Sequence, residues 1–231
     1  MIYCLLCGQK NTFKSAICDY CIQLLPINST ACYRCAIPLD TGESPSSDTI
    51  CDNCFREPPP FLSSQAPFQY LFPVNQLISK MKYHNRPQYA KLLTTLMINQ
   101  WHACPGGPTQ LPEILIPVPM YPHKQRQRGF NQAVYLAQHL GRQLGIPVLK
   151  NALQKTRATE AQNPLFAEQR RQNLRGAFRI NPRYRRRLAP VQRIGLVDDV
   201  ITTGATATEI SQVLRSAGIP EIHLLAIART P

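Results

Sequence analysis

The chain has 231 residues, 44% of them hydrophobic, and a formal net charge of +13. That length suits one small module plus one domain large enough to bury its own core. No apolar run approaches the roughly 18 residues a membrane-spanning helix needs, which argues against a helical membrane protein. The charge is uneven. Residues 1–60 hold four basic side chains (Lys10, Lys14, Arg34, Arg56) against six acids, whereas Lys124 to Arg193 carries sixteen basic residues and only Glu160 and Glu168 as acids.

The first element is a cysteine module. Eight of the nine cysteines fall in four C-x-x-C pairs, Cys4/Cys7, Cys18/Cys21, Cys32/Cys35 and Cys51/Cys54. Two-residue spacing lets one knuckle present two thiolates to one tetrahedral metal, and two knuckles close an S₄ shell. Consecutive pairing gives two zinc ribbons, Cys4/Cys7/Cys18/Cys21 and Cys32/Cys35/Cys51/Cys54. A cross-braced arrangement, first pair with third and second with fourth, fits the spacing too. Disulfides, an iron–sulfur cluster or a thioredoxin-like redox pair are the competing uses of such cysteines. No signal-peptide pattern precedes Cys4, so the expected compartment is the reducing cytoplasm, which favours metal. Closed Cys4 sites are structural. With two Zn²⁺ and eight thiolates the module carries a formal charge of about −6, a poor grip on nucleic-acid phosphates. A protein-binding or structural role follows. Cys104, beside Pro105-Gly106-Gly107, reads as an incidental thiol.

Glu57-Pro58-Pro59-Pro60 predicts a stiff, extended spacer after this module, and Ser44-Pro45-Ser46-Ser47-Asp48 a loop within the second ribbon. Phe68–Leu71 reads as a strand. Helices follow near Val74–Tyr83 and Tyr89–Trp101, the second with Leu92, Leu93, Leu96 and Met97 at helical spacing. Residues 131–144 place Ala133, Leu136, Ala137, Leu140 and Leu144 on one stripe, capped by Gly145. Ile146–Leu149, Ala177–Ile180, Ile194–Val197 and Glu221–Ala228 supply further strands. Strands alternating with helices argue for an α/β domain with a largely parallel sheet.

Two strands end in chemistry. Leu115-Ile116-Pro117-Val118-Pro119 runs into Met120-Tyr121-Pro122-His123-Lys124-Gln125-Arg126-Gln127-Arg128-Gly129-Phe130-Asn131-Gln132. Ile194-Gly195-Leu196-Val197 runs into Asp198-Asp199 and then Thr202-Thr203-Gly204-Ala205-Thr206, which open a helix through Glu209, Ile210, Val213 and Leu214 to Gly218. Acids at a strand's carboxyl end, followed by free N–H groups and threonine hydroxyls at a helix start, suit a sugar phosphate. The chain has no G-x-x-x-x-G-K-[ST] loop for a Walker pair, and adjacent acids followed by Val200 do not form a phosphatase-type D-x-D.

The segment 194–206 resembles the thirteen-residue phosphoribosyl-pyrophosphate (PRPP) motif of type I phosphoribosyltransferases, and Pro117-Val118-Pro119 resembles the pyrophosphate loop of amidophosphoribosyltransferases. Together with Arg128-Gly129-Phe130-Asn131-Gln132, and with Arg157, Thr159, Gln162, Leu165, Arg170, Asn173 and Gly176-Ala177-Phe178, they are similar to the ComF/GntX family, associated with competence and the uptake or use of external DNA. The likeness covers nearly the whole chain. It departs at Tyr121, where the family commonly has a histidine, so no imidazole is available there.

The resemblance implies a type I phosphoribosyltransferase-like α/β fold, a largely parallel sheet flanked by helices, with a small amino-terminal double zinc-ribbon module. The corresponding divisions are residues 1–57, a Pro-rich linker at 58–66, and 67–231. It implies that Asp198 and Asp199 hold the ribose of PRPP, that Thr202, Thr203, Gly204, Ala205 and Thr206 cradle its 5′-phosphate, and that Pro119, Met120 and Tyr121 take its pyrophosphate with Mg²⁺. Arg126, Arg128 and Arg157 are the cations best placed by motif for the phosphates. Arg157 and Thr159 would open a catalytic loop that closes over PRPP and excludes water. The implied reaction is displacement of pyrophosphate by a nucleophile the sequence does not identify, in DNA uptake or nucleotide salvage. His84, His102, His123, His139 and His223 are scattered, and none stands out as a base.

Arg183, Arg185, Arg186 and Arg187 around Tyr184 exceed what one small ligand can use. They read either as a solvated loop or as a phosphate-backbone surface on which Tyr184 stacks a base. A second reading of the whole follows: a non-catalytic PRPP sensor that binds single-stranded DNA and recruits a competence helicase or another DNA-processing protein through the zinc module. A third, a zinc-stapled adaptor, leaves the phosphate motif without a purpose.

Overall fold

The computed structural model describes residues 2–11, 15–39, 49–83, 87–103, 110–159 and 173–231. Gln162, Leu165, Arg170, Cys104, His84 and the 44–48 segment lie outside the described residues. The module begins with a small antiparallel pair, β1 (Ile2–Tyr3) and β2 (Lys10–Asn11), and two one-turn helices, α1 (Asp19–Gln23) and α2 (Asp52–Arg56), each starting just after a cysteine. The central sheet is parallel throughout, in the order β3 (Ser63–Gln65), β9 (Glu221–Arg229), β8 (Arg193–Ile201), β5 (Ile114–Pro117), with β4 (Phe68–Gln69) also pairing β9. Its inner strands are apolar on both faces, as expected where helices cover both.

One face is covered by α3 (Val74–Tyr83), α4 (Pro87–Ala103) and α6 (Gln132–Leu144). In α3 the buried residues Val74, Leu77, Ile78 and Met81 fall at i, i+3, i+4 and i+7, one stripe of a helix. The stripes predicted for the next two helices are buried as well, except that Leu144 is only half-buried. Gly145 ends α6 in the left-handed conformation at φ 71°, where a Cβ would be strained. Phe178, Ile180, Leu188, Ile210 and Leu214 belong to the core on the opposite face. There lie β7 (Phe178–Ile180), α7 (Arg185–Leu188) and α8 (Ala205–Ser216).

The zinc module joins both cores. Cys4, Ile17, Cys21 and Leu25 belong to the cluster containing Phe68, Leu77 and Leu93, while Ala36 belongs to the cluster on the other face. The segment expected to be a spacer is engaged too. Residues 63–65 form a strand of the central sheet, Ser63 in register with His223 and its Oγ 2.8 Å from His223 Nδ1, with Ser63 and Ser64 both buried. Tyr89 Oη donates to the Leu5 carbonyl at 3.4 Å, tying α4 to the first ribbon.

Four elements differ from the sequence expectation. Ile146–Leu149 contributes one bridge, Val148 opposite Leu115, rather than a strand; Pro147 has no N–H to extend the ladder. Ala177–Ile180 leaves the main sheet and pairs antiparallel with β6 (Leu153–Lys155), its Phe178-in, Arg179-out, Ile180-in pattern fitting a one-sided ribbon. Pro122–Arg128, assigned no element from sequence, is helix α5, started by Pro122 at its first position and stopped by Gly129 at φ 84°. The 194–197 strand runs on to Ile201, so Asp198 and Asp199 lie within its last turn of pairing rather than beyond it.

Candidate functional site

The two ribbons pair consecutively: the sulfurs of Cys4, Cys7, Cys18 and Cys21, and those of Cys32, Cys35, Cys51 and Cys54, lie within 4.8 Å of one another in each group. Cys7 and Cys18 sulfurs are 3.9 Å apart and Cys35 and Cys51 sulfurs 3.7 Å. Both distances are far beyond a disulfide. They match the edge of about 3.8 Å that a tetrahedron with Zn–S bonds of about 2.3 Å requires. The thiols also need a cation. A hydrogen bond from Cys35 and then backbone N–H groups bring Cys32 down to about 4 against the opposing effect of burial, while burial first of all pushes Cys54 up to about 12. Four neighbouring thiolates ionise together only on a metal. These are two Cys4 zinc-binding sites, coordinatively closed.

The second ribbon is fastened to the sheet through three successive carbonyls, and a fourth is held by Asn28 of the module itself. Ser64 N–H donates to the Tyr33 carbonyl at 3.0 Å and Ser64 Oγ to that of Arg34 at 2.5 Å. Arg229 Nε donates to the Cys35 carbonyl at 3.1 Å, and Asn28 Nδ2 to that of Ala36 at 2.9 Å. Arg229 Nη1 also reaches the Ile201 carbonyl at 3.4 Å, the residue before the threonine loop.

That loop and its acids sit at the carboxyl edge of the parallel sheet, where such folds bind ligands. Pro117 is in register with Val197, and Val118 N–H donates to the Val197 carbonyl at 2.8 Å, so the chain leaves β5 beside the acidic pair while β8 runs on. Asn131 holds both ends of the first segment. Its Nδ2 donates to the Val118 carbonyl at 2.9 Å, and its Oδ1 caps α6 by accepting from Ala133 N–H at 3.0 Å. Gly204, at φ 76°, turns the chain into α8.

The structure divides the acidic pair. Asp198 lines a hollow of about 40 Å³ with Thr202, Gly204, Ala205 and Thr206. Its Oδ1 accepts from Asp199 N–H at 2.8 Å. Burial first, and then the neighbouring Asp199 carboxylate, push the Asp198 carboxyl well above the usual carboxylate range. Asp199 is buried and meets Lys82 Nζ of α3 at 2.5 Å. Burial opposes the Lys82 charge, but Asp199, and Asp198 behind it, hold its ammonium above the ordinary lysine range.

Pro119, Met120 and Tyr121 line a larger cleft of about 730 Å³, with Gln125, Asn131, Lys150, Lys155, Arg179 and Asn181 among the other walls. Lys155 Nζ donates to Thr159 Oγ1 at 2.6 Å and lies 5.4 Å from the Phe178 ring centroid. Burial, then Lys124 and Arg157, lower its pKa, while Asp198 pulls the other way. Arg157 donates to the Arg175 carbonyl at 2.7 Å. Arg128 is turned elsewhere, bonded to Gln132 Oε1 at 2.9 Å and stacked 5.7 Å from the Tyr83 ring centroid. Of the arginine cluster, Arg183, Arg185, Arg186 and Arg187 are exposed on a 3-10 turn and α7. Tyr184 is half-buried and packs against the core of that face.

Lys82, Lys155, Arg179 and Arg229 were not singled out in the sequence. Each belongs to a segment read for its apolar spacing or given no element, and only tertiary pairing brings them to this edge. Among the described residues no helix is long and apolar enough to cross a membrane.

Comparison with known proteins matches the zinc module to one family and nearly the whole length of the chain to another. Residues 2–55 match the double zinc ribbon domain family. Competence protein F of Haemophilus influenzae is 34% identical over 228 residues, covering 98% of this chain and 96% of that protein. The DNA utilization protein YhgH of Escherichia coli O157:H7 is 34% identical over 217 residues, covering 93% and 90%. That of Salmonella typhimurium is 30% identical over 231 residues, covering 98% and 96%.

Two outcomes follow from this geometry. Cys54→Ser should halve the zinc retained after dialysis, measured by elemental analysis, because one of the two four-cysteine groups loses a ligand. Asp198→Asn should raise the urea midpoint at pH 7. A carboxyl whose folded pKa is raised loses stability as pH rises from the ordinary aspartate range through the folded value; the amide has no such loss, so the gap between the proteins should close at about pH 4.

Proposed function

The chain belongs to the family of competence protein F and the DNA utilization protein YhgH, and from that membership we propose that it is a cytoplasmic PRPP-binding protein of phosphoribosyltransferase type serving the uptake or use of external DNA. The observation that carries the reading is the in-register pairing of β5 with β8. It sets Pro119–Tyr121, the acidic pair and the threonine loop at one sheet edge. A diphosphate on the first, a ribose at the acids and a 5′-phosphate on the second would span this edge.

In this reading the N–H groups around Gly204 and Ala205, with the hydroxyls of Thr202, Thr203 and Thr206, receive the 5′-phosphate. The carboxylates of Asp198 and Asp199 accept from the ribose hydroxyls and favour the positive charge that develops on the sugar as its bond to pyrophosphate breaks. Lys155 and Arg179 stand on the cleft wall where the leaving pyrophosphate gathers negative charge. The carboxylates are hard oxygen donors suited to Mg²⁺, which when bound would neutralise part of the pyrophosphate charge. Pyrophosphate leaves with the bonding electron pair, and the acceptor nucleophile forms the new bond at the anomeric carbon and gives up its proton.

Calorimetric titration of PRPP with Mg²⁺ tests this directly. Wild type should bind saturably, and Asp198→Asn/Asp199→Asn should lose at least about tenfold in affinity. Pyrophosphate released in the same cell marks a transferase; saturable binding without release marks a sensor. Wild type that fails to bind PRPP would sink both.

A nucleic-acid role is favoured by one feature, the four exposed arginines at 183 and 185–187. Replacing Arg185, Arg186 and Arg187 with Gln should weaken binding to single-stranded DNA and flatten its salt dependence by roughly one unit per lost phosphate contact. An unchanged affinity and slope would remove this surface from the reading.

A further inference from the structure

Lys82 lies outside both strand-end segments, yet its ammonium touches the acidic pair. It reaches Asp199 Oδ2 at 2.5 Å, the lysine side chain 21% exposed and the aspartate side chain 7%. The origin of its stem is fixed. Val74, Leu77, Ile78 and Met81 anchor α3, none of them more than 1% exposed. The helix end is pinned where the Arg128 guanidinium stacks on Tyr83 while bonded to Gln132 of α6.

Stability alone is a poor reason for this contact. A largely buried ion pair gains little net free energy, because desolvation offsets the attraction. An apolar residue continuing the α3 stripe would pack at no such cost. What the ammonium does supply is charge and direction. It engages Asp199 through Oδ2, and a lysine at a helix carboxyl end is itself favoured by the helix dipole.

Resting on the phosphoribosyl reading above, we propose that Lys82 is a positioning residue of the pocket: it orients the Asp199 carboxylate toward the ribose hydroxyls and thereby selects a ribose-bearing diphosphate over free pyrophosphate. Pyrophosphate has no hydroxyls for Asp199 to accept from, and it would rest on the other wall, at Pro119–Tyr121 and Lys155. Loss of Lys82 therefore penalises one ligand and spares the other. A purely structural lysine would weaken both alike or neither.

The test is titration of PRPP and of pyrophosphate, each with Mg²⁺, into wild type, Lys82→Met and Lys82→Arg, with zinc content and thermal unfolding measured on the same preparations. Lys82→Met should weaken PRPP binding by about tenfold, the loss of one charge-assisted contact, while pyrophosphate affinity stays within about twofold. Lys82→Arg, which keeps the charge on a different fork, should recover part of the PRPP affinity. Equal losses for the two ligands, or PRPP binding by Lys82→Met at the wild-type level, would overturn the proposal. Should Lys82→Met fail to fold, Lys82→Arg carries the test alone: its PRPP affinity should fall below wild type with pyrophosphate unchanged, and equal shifts would refute it. Silence of the wild type toward PRPP would instead bring down the phosphoribosyl reading itself.

Discussion

The guanidinium of Arg229 is the interaction on which the arrangement of the molecule turns. It is buried at the end of the central strand β9, and it divides its donors between the carbonyl of a zinc-ligating cysteine, Cys35, and those of Ile201 and Thr230. Burial lowers its pKa, and the Cys35 sulfur beside it, with those of Cys51 and Cys54, partly restores it. A buried guanidinium without acceptors would be ruinous, so its position and that of the ribbon fix one another. The other three carbonyls of the same knuckle are taken by Ser64 and Asn28. The zinc ribbon is thus a built part of the sheet edge, and its metal holds the shape of a surface that the rest of the fold needs.

Parallel pairing supplies the second constraint. Every strand of the central sheet ends on the same side, so loops distant in sequence come together without any contact between them being selected individually. The register of β5 against β8 brings the end of β5 beside the acidic pair, and Gly195 permits it. A Cβ there would stand 2.5 Å from Leu115 Cδ2 and 2.9 Å from Pro112 Cγ. Burial on both faces then separates two acids that are neighbours in the chain, one toward the threonine hollow and one toward α3.

Much of this was legible in the sequence. Strict C-x-x-C spacing identifies zinc ribbons because the ligands of each knuckle are local. The helices of the apolar face are legible because their stripes repeat at helical spacing, as Val74, Leu77, Ile78 and Met81 do. The strand-end motifs are legible because a short apolar run ending in polar residues is a local pattern too. What could not be read depends on contacts across the chain. Consecutive and cross-braced ribbons use the same spacings. Residues 63–65 look like linker until β9 offers them a partner. Lys82 looks like the solvated end of a helix until Asp199 arrives from residues more than a hundred positions away. Tyr184, exposed by its sequence context, is half-buried because Leu188 and the adjoining core draw its turn inward.

The Arg229–Cys35 contact also fixes an order of events during synthesis. The two residues are 194 positions apart. Each ribbon can take up its ion as soon as its own four cysteines have left the ribosome, but the second has nothing to rest against until the last strand has been made. β3 waits for the same strand. Sheets whose neighbours are this far apart in sequence close slowly, because the chain must lose much of its freedom before any of the pairing is gained. A nascent chain therefore passes through a stage in which a metal-loaded ribbon shows its docking face and an incomplete sheet shows an open edge. That interval, rather than the finished fold, is when the protein is most exposed to aggregation and to chaperone capture.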